Sequence, residues 1–200
     1  MHSSSIAWWY ASRATGVVCL VLFTTVVVLG IVISKQRRLP GLPRFAGVSL
    51  HRYLSLLAVG FLAGHILTAV IDSFVSISLA AAIVPFVSAY QPWWLGLGAI
   101  SVDLMLAVVV TSLLRARIGR RTWRVVHWLA YAAWPIAIAH SLGTGPDVTS
   151  GPLLWLTAAS IAAVSAVVAW RLAGALRATP RARLVPELLA APRPAKAVQQ

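Results

Sequence analysis

Residues 14–34 contain no charged side chain, and neither do 53–71 or 125–146. An apolar run of about 18 residues or more is long enough to cross the hydrocarbon core of a bilayer as a helix. Inside that core each backbone N–H and C=O must be paired, so only helices and closed barrels can span it. Runs this long and this apolar select the helix. The chain therefore reads as an all-α integral membrane helical bundle of five transmembrane helices, at about 12–34, 48–74, 97–116, 123–142 and 152–175. Composition agrees, with 60% hydrophobic and 10% charged residues, where a soluble domain carries about 25% charged.

The segments between the spans set the topology. Residues 1–11 form an outer N-terminal segment whose Trp8, Trp9 and Tyr10 suit the membrane–water interface. A secretory signal would place basic residues before its apolar core; here Lys35, Arg37 and Arg38 follow the core, so the first span is retained. Pro40, Gly41 and Pro43 break the chain in a basic loop over 35–47. The uncharged stretch 75–98, with Pro85, Pro92, Trp93 and Trp94, reads as an outer loop with a short interfacial or re-entrant piece. Arg115, Arg117, Arg120, Arg121 and Arg124 form a second basic loop. Residues 143–151 make a polar outer turn, and 176–200 a basic, Pro/Ala-rich tail expected to be disordered.

The net charge of +13 could suggest nucleic acid, but every Lys and Arg except Arg13 falls in or beside the two basic loops and the tail. Asp72, Asp103 and Asp147 fall toward the other face. The positive-inside rule then puts the N-terminus outside and the C-terminus in the cytoplasm, in a multi-pass cell membrane protein with no nucleic-acid partner. The single cysteine, Cys19, lies in an apolar run. It permits no disulfide framework and no iron–sulfur ligation by this chain alone, and it reads as a packing residue.

Two spans carry two histidines each, His51-x13-His65 and His127-x12-His140. Both run from inside to outside, so His51 and His127 share an inner level and His65 and His140 an outer one. At 1.5 Å rise per residue the levels are roughly 20–21 Å apart. A haem iron takes two axial ligands, and neutral imidazole serves at both. The pattern therefore offers two bis-histidine sites at two depths, for two haem b groups. Fourteen residues at roughly 100° each bring His65 to within about 40° of His51, whereas thirteen leave His140 about 140° from His127. Pro135 lies between those two and is expected to distort the helix. A single non-haem metal would need its ligands at one level, and a proton or solute relay is the remaining alternative. Arg52 and Arg124 neighbour the inner histidines and could pair with propionates or anchor the chain at the interface; Arg13 is placed for an outer propionate.

The paired histidines resemble those of the ferric reductase-like transmembrane domain, found in ferric reductases, in NADPH oxidases and in the haem subunit of the methionine sulfoxide reductase system. Trp9-Tyr10-Ala11-Ser12-Arg13-Ala14-Thr15-Gly16 and His127-Trp128-Leu129-Ala130-Tyr131 resemble bacterial members, over about 8–175. The resemblance implies haem pairs His51/His127 and His65/His140, a bacterial plasma membrane, and electrons moving from cytoplasm to outer face. Family members often have six spans, where five are read here. Oxygen-reducing members place a further histidine one turn beyond the outer ligand, where this chain has Ala69. The tail has no dinucleotide-binding glycine pattern, hence no flavin or NAD(P) site of its own. The expected role is the electron-transfer subunit of an oxidoreductase, with no catalytic side chain. It would be fed by a separate cytoplasmic flavin-type or quinol donor and drained by ferric iron, a protein partner or oxygen. The alternative is a non-redox membrane protein, a small transporter or assembly factor, that handles protons or metal through these histidines.

Overall fold

The computed structural model describes residues 2–34, 43–72, 75, 77–145 and 151–190, without the side chains of 2–5, 44 and 177–190. It is all-helical, with no strand among the described residues. The helices are α1 His2–Ser34, α2 Arg44–Ile71, α3 Leu79–Ile83, α4 Pro92–Leu113, α5 Arg115–His127, α6 Ala130–Thr144 and α7 Pro152–Ala190. Four of them, α1, α2, α4 and α7, are long and apolar enough to cross a membrane, and the bent pair α5–α6 brings the number to five. The protein is a multi-pass membrane protein.

The helix boundaries follow local chemistry. At 1.5 Å per residue α1 is roughly 50 Å long, well beyond a ~30 Å hydrocarbon core. Its first turns, with Trp8, Trp9 and Tyr10, therefore reach into the interface instead of forming a separate segment 1–11. Ser78 caps α3 by accepting from the Ala81 N–H at 3.3 Å, and Val84, ahead of Pro85, ends it because a residue before proline disfavours the helical region. Pro92 stands at the start of α4, where its missing N–H leaves nothing unpaired, so this span starts five residues earlier than the expected 97. Hydroxyls inside the spans bond back to their own helix, as Thr68 Oγ1 does to Gly64 O at 2.8 Å and Ser55 Oγ to His51 O at 2.7 Å. That pairing removes the penalty of a bare hydroxyl in an apolar medium.

Three further expectations change. The fourth span is not one helix over 123–142: α5 and α6 meet at Trp128 and Leu129 with a bend of 43°. The basic stretch 115–124 is helical, since arginine is a good helix former, and α5 is amphipathic. The tail is helical as far as Ala190, as its Ala, Leu and Arg content favours, although Pro180 and Pro186 each remove a donor; 191–200 lie outside the described residues. So do most of the loop 35–47 and of the turn 143–151.

Val27 and Ile31 of α1, Trp134 and Ile138 of α6 and Val164 of α7 form the packed core. Trp134 Nε1 donates to Thr24 Oγ1 at 3.1 Å, and Ser101 Oγ donates to Ala133 O at 3.1 Å. These buried bonds tie α6 to α1 and to α4. Arg171 of α7 donates to Ser34 Oγ at 2.9 Å and to Tyr131 Oη at 3.3 Å, closing the end of the bundle that carries His51. α2 packs along α1 and α6 along α4, but α2 and α6 are not packed on each other. Between those two helix pairs lies a cavity of about 320 Å³. Phe45, Tyr53, Leu67 and Trp155 stay exposed on the outside, a surface suited to lipid.

Candidate functional site: two histidine pairs

The structure brings the four intramembrane histidines together two by two. The His51 and His127 rings face each other with centroids 6.3 Å apart and planes at 65°. His65 and His140 both line the cavity. α2 carries His51 and His65 toward its two ends, and the bent pair α5–α6 supplies their partners, His127 as the last residue of α5 and His140 within α6. His2 lies at the start of α1, apart from both pairs by sequence and helix.

The x12 spacing is accommodated at the break, not at Pro135. Trp128 N is shared between Arg124 O and Val125 O, each at 3.2 Å, and then Leu129 N bonds to Val126 O at 2.9 Å, Tyr131 N to Trp128 O at 3.0 Å and Ala132 N to Leu129 O at 3.0 Å. These i→i+3 bonds wind the chain as a 3₁₀ turn, roughly 120° per residue in place of roughly 100°. Over four or five residues that adds roughly 80–100°, which shrinks the 140° mismatch to about 40–60°. Pro135 contributes one turn later: having no N–H, it leaves the Tyr131 carbonyl without its usual partner.

Glycine notches seat three of the four rings. A Cβ at Gly16 would stand 3.1 Å from His65 Cε1, one at Gly30 3.3 Å from His51 Cε1, and one at Gly98 2.7 Å from His140 Nδ1. Gly16 and Gly30 are fourteen residues apart on α1, as His51 and His65 are on the antiparallel α2. The helix period thus presents one notch to each histidine. His127 is held differently, stacked on Trp123 at 4.9 Å and 30°, with the Arg115 guanidinium 4.4 Å from the centre of that indole. Gly119 lets Arg115 fold back over Trp123, with φ 77° and ψ 160°, a conformation essentially restricted to glycine.

The outer two rings are oriented by hydrogen bonds. His65 Nδ1 lies 2.9 Å from Ser12 O, and His140 Nδ1 lies 2.8 Å from Trp94 O. A carbonyl can only accept, so Nδ1 carries the proton in both, and the lone pair remains on Nε2, the arrangement typical of metal-binding histidine. Nδ1 of His51 and of His127 is buried with no hydrogen-bond partner.

This donor set fits one kind of group. Among the described residues no three His, Cys, Asp or Glu side chains converge on a point, so a bare ion that needs three or four protein ligands has no site there. Two imidazoles sharing one metal at roughly 2.0–2.1 Å per bond, with ring radii of roughly 1.1 Å, would stand about 6.3 Å apart, which is the observed separation of His51 and His127. A metal already held in a flat macrocycle needs only such a pair.

Of the three arginines singled out by sequence, Arg13 is half-buried, lines the cavity and lies 4.7 Å over the Trp9 ring. Arg52 and Arg124 are exposed, and neither lines the cavity. The sequence reading missed Ser12 and Trp94, which act through backbone carbonyls and leave no residue-type signal. It also missed Trp123, whose position four residues before His127 marks the same helix face, and the glycine notches.

A family model described as the ferric reductase like transmembrane component matches residues 15–138. The match takes in His51, His65 and His127 and ends before His140. No curated protein and no solved structure gives a match.

Proposed function

The chain belongs to the ferric reductase-like transmembrane family, and from that premise we propose that it is a membrane b-type cytochrome, the haem subunit of a reductase. His51 with His127 and His65 with His140 are the axial ligand pairs of two haem b groups. The observation that carries this is the pairing itself: four imidazoles at two levels, one pair at the ring separation a shared metal requires and the other turned by backbone carbonyls to present Nε2.

Bound haem supplies a one-electron couple, and the protein supplies position and surroundings. Each residue's part follows from its contacts. The glycines at 16, 30 and 98 let the imidazole-bearing helices approach without displacing the rings. The Ser12 and Trp94 carbonyls fix the tautomer of His65 and His140. Arg13, which lines the cavity, would pair with a carboxylate at the outer site; Arg52 and Arg124, both exposed, would either pair with carboxylates at the inner one or anchor the chain at the interface. The apolar lining, with Phe23, Leu62 and Met105, keeps water from the space between the levels. The bundle over 12–175 is the haem domain. With the basic loops and tail in the cytoplasm, electrons enter beside His51 and His127 from a separate flavin-type or quinol donor. They leave beside His65 and His140 to ferric iron, a protein partner or oxygen.

Single alanine variants test the assignment. His51→Ala and His127→Ala should each leave one haem per chain, the outer one; His65→Ala and His140→Ala should each leave the inner one. Four variants with full haem content would overturn it.

A further inference from the structure

The two histidine pairs differ in what stands behind the rings. Behind the outer pair stand acceptors: the carbonyls of Ser12 and Trp94, at 2.9 and 2.8 Å from Nδ1. An acceptor there draws the Nδ1 proton outward and makes the imidazole a stronger electron donor through Nε2. A more basic axial ligand favours oxidised iron. At the inner pair no Nδ1 hydrogen bond is closed among the described residues. Nδ1 of His127 is buried and unpartnered, as is Nδ1 of His51; the Val26 carbonyl approaches His51 without closing a hydrogen bond to it. In place of an acceptor, His127 has a cation close by: its ring stacks on Trp123, and the Arg115 guanidinium lies over the same indole at 4.4 Å. A positive charge on that side favours reduced iron.

Resting on the haem reading above, we propose that the Arg115–Trp123 contact beside His127 and the lack of a closed Nδ1 hydrogen bond at the inner pair poise the inner haem at a higher potential than the outer one. Arg115 and Trp123 are positioning residues, since Trp123 contacts His127 and Arg115 contacts Trp123, so that both act through His127. An electron then settles at the inner level and moves outward only when an acceptor draws it. A single-electron step between the levels oxidises the inner iron and reduces the outer one, and it is uphill until the outer electron is removed. The arrangement keeps the outer haem oxidised at rest and suppresses discharge to adventitious oxidants on that face.

A redox titration of the visible spectrum of the purified protein tests this, and it reads potential independently of turnover. Wild type should show two one-electron waves. His127→Ala, which lacks the inner ligand, should retain only the lower one, identifying it as the outer haem; retention of the upper wave would overturn the proposal. Arg115→Gln should lower the upper wave alone, by a roughly threefold to tenfold change in the oxidised-to-reduced ratio at fixed potential, tenfold being ~59 mV for one electron. Arg115→Lys, which keeps the charge, should restore most of that shift. An Arg115→Gln protein with both waves in place, or with both moved equally, would sink the proposal and leave the haem assignment standing. A wild-type protein without two haems would instead remove the reading on which the proposal rests.

Discussion

Gly98→Ala inserts one methyl group at the tightest of the glycines that face a histidine ring. The added Cβ would lie 2.7 Å from Nδ1 and 2.8 Å from Cε1 of His140. Carbon contacts settle at about 3.5–4.0 Å, so the ring must retreat by roughly 0.7–1.2 Å. His140 Nδ1 is bonded at 2.8 Å to Trp94 O, one turn back from Gly98 on the same helix, and a retreat of that size away from α4 breaks the bond. Overpacking of this kind costs about 1–3 kcal/mol and the lost hydrogen bond about 1 kcal/mol. Together, at 1.4 kcal/mol per tenfold, they weaken the outer site roughly 30-fold to 700-fold. The assay is haem per chain after purification, with the inner haem as internal standard. Content should fall from two toward one. Gly64→Ala is the matched control, because nothing stands within 4 Å of that added Cβ although it adjoins His65. It should keep both haems and gain about 0.5–1 kcal/mol in helix stability. Two haems in Gly98→Ala, or equal loss in both variants, would refute the reasoning.

Three more outcomes follow from the same geometry. Gly119→Ala forces a side chain into a backbone region essentially reserved for glycine, at about 1–3 kcal/mol; it should separate Arg115 from Trp123, seen as a change in tryptophan emission with the fold's circular dichroism retained. Trp134→Phe leaves Thr24 Oγ1 buried without its 3.1 Å donor and should destabilise the α1–α6 packing by about 1–3 kcal/mol, measured as a lower Tm in detergent; an unchanged Tm would place the core's stability elsewhere. A reporter fused to the C-terminus should read cytoplasmic; a reading from the other side would reverse the electron direction.

The spans were legible because charge is the costliest thing to place in a bilayer, so uncharged runs such as 14–34 declare themselves. The histidine levels were legible for the same reason: a polar ring in an apolar run is conspicuous, and helix rise converts spacing to depth. The break at Trp128–Leu129 was not legible. It contains no glycine or proline, both residues keep right-handed helical angles, and only the change of hydrogen-bond partner reveals it. Pro135 drew attention as the obvious distorting residue and proved to lie one turn past the distortion. The stretch 115–124 read as a loop because its charge masked an amphipathic helix ending at His127. The Gly16–Gly30 spacing was visible all along, but it gains meaning only beside the equal spacing of His51 and His65 on the helix packed against it.

The central claim is that two histidine pairs each hold a haem. The most direct measurement is a reduced-minus-oxidised visible spectrum of the purified protein, with a pyridine haemochrome assay for stoichiometry, after expression with adequate haem supply. Sharp b-type bands and two haems per chain are expected. A colourless protein, or one whose haem survives loss of all four histidines, would contradict the claim.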